Sequence, residues 1–263
     1  MIFKIKRRIM IMKTRMLLFC LVMFVFTETA FSHAMWLTAE KYNPAVGENV
    51  TINIGWGHGI NNKEPMRRES FRRIIAVSPD GKQIALKKVD DMHYQFRAEK
   101  PGYYSIGAEI NPGFMTKTTT GRKMQSRKGL DNAVSCMSFD IRSKTVIKAG
   151  KNSQEEAPLL KHPLEIQPLK DISLLKAGDT LKLRVLFNGR AISGVGINAT
   201  CEGYEGKDHK APVVKKTDSR GEAEISLSRK GLWILQVKNE VPYPVRDECD
   251  DYMYSTSITV QVN

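Results

Sequence analysis

Of the five histidines in the chain, two stand where a metal chelate can be built. His33 follows Thr27-Glu28-Thr29-Ala30-Phe31-Ser32, in which Ala30 and Ser32 occupy the small-residue positions that precede a leader cut. Cleavage after Ser32 makes His33 the first residue of the mature chain. Its α-amino nitrogen and ring Nδ1 can then grip one metal ion together, which no internal histidine can do. Both groups must lose a proton to bind, and both do so near neutrality, with ordinary pKa values of ~7.7–8.0 and ~6.5. His58 supplies a second imidazole from Gly57-His58-Gly59, after an alternating strand that starts near Val50. Amine and imidazole nitrogens suit nickel, cobalt, copper or zinc rather than calcium or magnesium. His33 and His58 are therefore the expected metal ligands. A cut after Ala34 competes with this reading, because it would remove His33.

The remaining chemistry-bearing residues are weaker candidates. His93 lies beside Asp90 and Asp91, and a carboxylate can orient an imidazole; a turn followed by an exposed strand residue is the expectation there. His162, before Pro163, and His209, in the 206–210 loop, are expected to face solvent. Asp247-Glu248-Cys249-Asp250-Asp251 gathers four carboxylates in five residues without EF-hand spacing, so it reads as a solvated acidic loop. Cys249 is expected to pair with Cys201, closing a loop worth ~4 kcal/mol in the chain-entropy model. That leaves Cys136 as a free thiol or a soft metal ligand, the free thiol being the expectation. No G-x-S-x-G, H-E-x-x-H or G-x-x-x-x-G-K-[ST] motif is present, and no enzymatic activity is expected. Gly194-Val195-Gly196-Ile197-Asn198-Ala199 fits a dinucleotide fingerprint on paper, but it runs into a strand rather than a helix.

The elements that must position these residues are strands. Apolar residues recur with a two-residue period at Val50/Ile52/Ile54, Tyr94/Phe96, Met137/Phe139/Ile141, Leu181/Leu183/Val185, Trp233/Leu235/Val237 and Ile258/Val260/Val262. Turn chemistry punctuates them at Pro79-Asp80-Gly81, Asn188-Gly189 and Ser219-Arg220-Gly221. No long stretch has a helical period. The expected fold is all-β, two Ig-like β-sandwich domains at 33–149 and 163–263 joined by a linker at 150–162, after a cleaved signal peptide at 1–32. The stretch 116–131, polar and basic, is expected to be a long loop.

The leader carries Lys4, Lys6, Arg7, Arg8, Lys13 and Arg15 before an apolar run at 16–26, which is too short for the ~20 residues that span a bilayer. Export to the periplasm follows, and with it an oxidising compartment. Of the formal charge of +13, the loss of residues 1–32 leaves +8, since six cations and one anion go with them. Such a balance would suit nucleic acid, but export makes it a poor partner, and the basic loop has no interleaved aromatic residues. No other apolar stretch is long enough to cross a membrane in the mature chain.

His33-Ala34-Met35-Trp36, Gly57-His58, Glu64-Pro65 and Lys100-Pro101-Gly102-Tyr103 resemble, in this order, segments of one exported bacterial family of unknown function. Leu175-Lys176-Ala177-Gly178-Asp179, Val185-Leu186-Phe187-Asn188-Gly189, Thr217-Asp218-Ser219-Arg220-Gly221 and Gly231-Leu232-Trp233 continue the match along the mature chain. The family is one linked by name to the periplasmic component of cobalt/nickel transport. The resemblance implies a nickel- or cobalt-binding protein that assists metal uptake, with a metal permease or a TonB-type transport system as partner. Two rivals stand beside it: a cell-envelope structural or adhesion module without metal, and a copper oxidase or monooxygenase using an N-terminal histidine brace.

Overall fold

Alternating residues become strands here because a two-residue period puts every apolar side chain on one face. The computed structural model describes residues 33–263 except 61, 67, 152–155 and 205–212, with His58, Asn62, Arg68 and Val213 described by backbone alone. The leader and its cleavage site, His209 and part of the expected linker lie outside the described residues. In chain order the strands are β1 (Ala34–Ala39), β2 (Asn49–Gly59), β3 (Asn62–Lys63), β4 (Phe71–Val77), β5 (Gln83–Ile84), β6 (Lys87–Lys88), β7 (His93–Arg97), β8 (Gly102–Ile110), β9 (Gly113–Thr118) and β10 (Gly121–Lys123). They continue with β11 (Ala133–Ala149), β12 (Leu164–Pro168), β13 (Thr180–Phe187), β14 (Arg190–Ala191), β15 (Gly196–Cys201), β16 (Val213–Lys216), β17 (Glu222–Ser226), β18 (Gly231–Pro242) and β19 (Asp251–Val262). The all-β expectation holds: the sole helical element among the described residues is a 3-10 turn, Arg68–Ser70. Among the described residues no helix is long and apolar enough to cross a membrane.

Three sheets result. A small sheet runs β1-β2-β7-β6 with β3 on β2; a large one runs β16-β15-β18-β19-β11-β8-β4-β5, with β9 on β11 and β10 on β9; a third runs β12-β13-β14 with β17 on β13. Every pairing among them is antiparallel except β11 with β19, which run parallel from Met137↔Asp251 to Thr145↔Thr259. The large sheet is thus shared by early and late parts of the chain. It carries a core on each face. On one side Met35, Leu37, Val50, Ile52 and Phe96 of the small sheet meet Tyr104, Ile106, Ala108 and Ile147. On the other, Leu164, Ile166, Leu181, Val185 and Ile225 of the third sheet meet Ile197, Trp233, Leu235, Ile258 and Val260. Each such side chain contributes ~1.5–3 kcal/mol by leaving water. Two sandwiches back onto one sheet, as alternation along β8 requires: Tyr103 faces the second core, Tyr104 the first.

The Asn188-Gly189 signal is confirmed as a two-residue hairpin between β13 and β14, with φ of +50° and +76°. Both positive angles match the turn whose twist suits flanking strands, which is why Asn and Gly stand there.

The structure corrects three expectations. Cys249 pairs with Cys136, not Cys201, and Cys201 is a buried free thiol. The parallel register explains it: Met137 lies opposite Asp251, so Cys136 arrives beside the loop that carries Cys249. Cys201 lies opposite Trp233, itself opposite Val260, which is ~30 Å along β19 from Asp251 at ~3.3 Å per residue. The stretch 116–131 is not a loop throughout, since its first part forms the β9–β10 hairpin on the edge of β11. His162 does not face solvent; it is 3% exposed.

Candidate functional site

The β1–β2 ladder brings the two expected ligands to one end. Its last pair is Ala34↔Gly57, so His33 and His58 flank the end of the ladder, one on each side. Beyond them the chain turns back through β3, whose pairing with β2 shifts register between Gly57 and Gly59. Glu64 then folds over the end of the ladder, its amide donating to the Trp56 carbonyl at 2.8 Å. The His33 ring stacks on the Trp56 indole, centroids 5.5 Å apart and planes 13° apart, and its Nε2 lies 2.7 Å from Glu64 Oε2. The pair is half-exposed, at 40% and 38%.

This arrangement has a chemical consequence. A carboxylate only accepts, so in the neutral ring Nε2 carries the proton and Nδ1 the lone pair. Nδ1 is the nitrogen that forms a chelate with the residue's own α-nitrogen. A carboxylate behind the non-ligating nitrogen is the usual partner of a metal-bound histidine, since it fixes the tautomer and ring orientation. The indole face adds a wall that restricts ring rotation. Amine and imidazole nitrogens suit nickel, cobalt, copper or zinc. Among the described residues no group of three or more His, Cys, Asp or Glu side chains is placed to hold a metal ion; the His58 side chain lies outside them. Sequence reasoning named Glu64 only within a motif, and missed it and Trp56 as neighbours of His33. The available signal was a carboxylate just past a Gly-rich strand end.

The other candidates are engaged elsewhere. His93 sits on β7, opposite Asn53, with Nδ1 2.7 Å from Asp90 Oδ1. Asp90 also accepts the amides of Met92 and His93, as a turn carboxylate does. In the acidic loop, Asp250 pairs with Arg127 and accepts the Cys136 amide at 2.7 Å, so that carboxylate is structural.

A second cluster, invisible in the sequence, lies between the large sheet and the chain that follows it. Glu109 on β8, 1% exposed, receives Arg73 Nε at 3.0 Å and Arg142 Nη1 at 3.1 Å, while Arg142 also forks onto Asp140 at 2.7 and 2.9 Å. Lys144 on β11 meets Glu165 of β12 at 2.7 Å, both buried. Glu165 further accepts the amides of Leu160 and His162. The segment before β12 approaches the sheet so closely that a Cβ at Gly107 would come within 2.5 Å of Leu160 and 2.8 Å of His162, hence the glycine. His162 has no hydrogen bond at either ring nitrogen, and Nε2 stays 3.7 Å from Glu109.

Burial first, then the charges of Arg142, Lys144 and Arg73, push the His162 imidazole down to about 3. Glu109 is the carboxylate that faces the ring, while Glu165 accepts the His162 backbone amide. A depressed histidine keeps the native state from taking the proton that the unfolded chain accepts below ~6.5. Stability is therefore unaffected above that pH and falls as pH drops toward 3, by ~1.4 kcal/mol per unit. Between pH 6.5 and 4.5, urea melts of wild type should show this slope and His162→Leu should lack it. Equal slopes would show that His162 is protonated in the native state.

No curated protein matches the chain. Among solved structures it is similar to fibronectin(III)-like modules of Clostridium thermocellum CbhA, at 10% identity over 86% of this chain and 94% of that one, with a TM-score of 0.20. It is also similar to the D0-D1 domain of intimin, at 10% identity over 86% and 97% of the two chains and a TM-score of 0.21. The Yersinia pseudotuberculosis adhesin InvE matches at 10% over 88% and 59%, with a TM-score of 0.22. Superpositions this loose carry no functional argument. Residues 30–241, by contrast, match the family model described as domain of unknown function (DUF4198), and the chain belongs to that family.

Proposed function

We propose that this protein is an exported, non-enzymatic transition-metal binder that assists metal uptake, with nickel or cobalt favoured over copper or zinc. The carrying observation is the His33–Glu64 contact at 2.7 Å on the Trp56 face, at the end of the β1–β2 ladder that Ala34↔Gly57 closes. Export after Ser32 would free the α-nitrogen of His33 and join it to Nδ1 in one chelate. His58 would add the second imidazole and Glu64 would orient the first. A leader of this kind would send the protein to the periplasm, and the Cys136–Cys249 disulfide fits an oxidising compartment. A metal permease or TonB-type receptor would take the cargo.

The test is calorimetric titration of Ni, Co, Cu and Zn into protein exported through its own leader. Wild type should bind one ion. His33→Ala should abolish tight binding, and Glu64→Gln should weaken it about 10–100-fold, the usual effect of losing a carboxylate behind a ligating imidazole. His93→Ala should change nothing. If His33→Ala binds as wild type does, the site is wrong; if wild type binds none of the four ions, the envelope-module reading takes its place.

A further inference from the structure

We infer that the β9–β10 hairpin is a docking surface for an anionic lipid bilayer. In its register Lys117 stands directly opposite Arg122, and both are exposed. Directly opposed like charges on one face of a hairpin destabilise it, so this pairing works against the fold. Lys123 follows on the same short strand, and Lys128 lies just beyond it. None of these four cations has an ion pair among the described residues. Several cations of the other basic stretches are paired. Arg72 and Arg73 are held by Glu109, Lys88 by Asp91, and Arg127, in the same segment as the hairpin, by Asp250.

Two apolar side chains stand with the cations. Met124, directly after β10, is 72% exposed, and Val134, in the bulge where β11 meets Thr118 and Lys117, is 55% exposed. Unpaired cations beside exposed apolar side chains match a membrane interface: the charges meet anionic headgroups while Met and Val enter the acyl boundary. A soluble polyanion would use the charges and leave Met124 and Val134 idle, which favours the bilayer. The nearby carboxylates Asp131, Asp247 and Glu248 do not neutralise the hairpin, since none forms an ion pair with it.

Sedimentation with phosphatidylglycerol/phosphatidylcholine vesicles tests this, with pure phosphatidylcholine vesicles and inorganic polyphosphate as comparison probes. The full mature chain should bind the anionic vesicles and not the neutral ones. Each cation near such a surface is worth roughly fivefold, so Lys117→Gln/Arg122→Gln should weaken binding about 30-fold. The same change should leave the thermal midpoint equal or higher, because it removes a repulsion, so misfolding cannot explain the loss. Met124→Ser/Val134→Ser should lower vesicle binding several-fold and leave polyphosphate binding unchanged. The inference is overturned if anionic vesicles do not bind, if the charge variant binds like wild type, or if the apolar variant does so while polyphosphate binds equally tightly.

Discussion

Replacing Cys136 and Cys249 with serine should cost about 4–5 kcal/mol of stability. The bond joins residues 113 apart, and in the chain-entropy model a loop of ~100 residues contributes ~4.7 kcal/mol by restricting the unfolded chain. It also fastens the one parallel junction among the described residues, where β11 meets β19. Around it the Arg127–Asp250 pair, the Cys136 amide on Asp250 and the Arg127 amide on the Glu248 carbonyl fasten the same loop. Those contacts remain in the serine variant, which should fold but unfold at much lower denaturant. Chemical denaturation of the two proteins measures the difference; a loss below ~1 kcal/mol would contradict it. Thiol counting gives an independent check. In protein lacking residues 1–32, one thiol should react, only after unfolding, and Cys201→Ala should remove it.

The second large effect belongs to the buried Lys144–Glu165 pair. Lys144→Met should cost ~3–5 kcal/mol, because a buried carboxylate then loses its cation. Glu165 keeps the Leu160 and His162 amides, but these do not neutralise it. The double variant Lys144→Met/Glu165→Leu should lose less than the sum of the single changes, since no charge is then left unpaired. Additive losses in a double-mutant cycle would mean that the two groups do not interact.

Much of the fold was legible because strands announce themselves by alternation, and because Pro79-Asp80-Gly81 and Asn188-Gly189 dictate their own turns. What alternation cannot encode is which strands become neighbours. The parallel pairing of β11 with β19 joins residues more than a hundred positions apart, and it alone decides that Cys136 rather than Cys201 meets Cys249. The hairpin at 116–123 was hidden for a different reason. Its buried positions are Thr116 and Thr118, whose hydroxyls bond to the Gln125 and Gly121 carbonyls, so no apolar period marks it. His162 precedes a proline, where a loop is the natural reading. It follows Lys161, which is held at φ +59°, and its ring packs where Gly107, 55 residues earlier on β8, has no Cβ. At the candidate site, one antiparallel pairing, Ala34↔Gly57, brings the backbones of His33 and His58 to the same end of the ladder. The roles of Glu64 and Trp56 depend on how the chain returns through β3, and residue spacing does not reveal that path.

The most direct measurement is native mass spectrometry of the protein exported through its own leader and purified without chelators. A mass that begins at His33 with one retained nickel or cobalt ion, lost in His33→Ala, is the predicted result. A chain that begins at Met35, or one that begins at His33 and stays metal-free with added Ni, Co, Cu and Zn, would contradict the account.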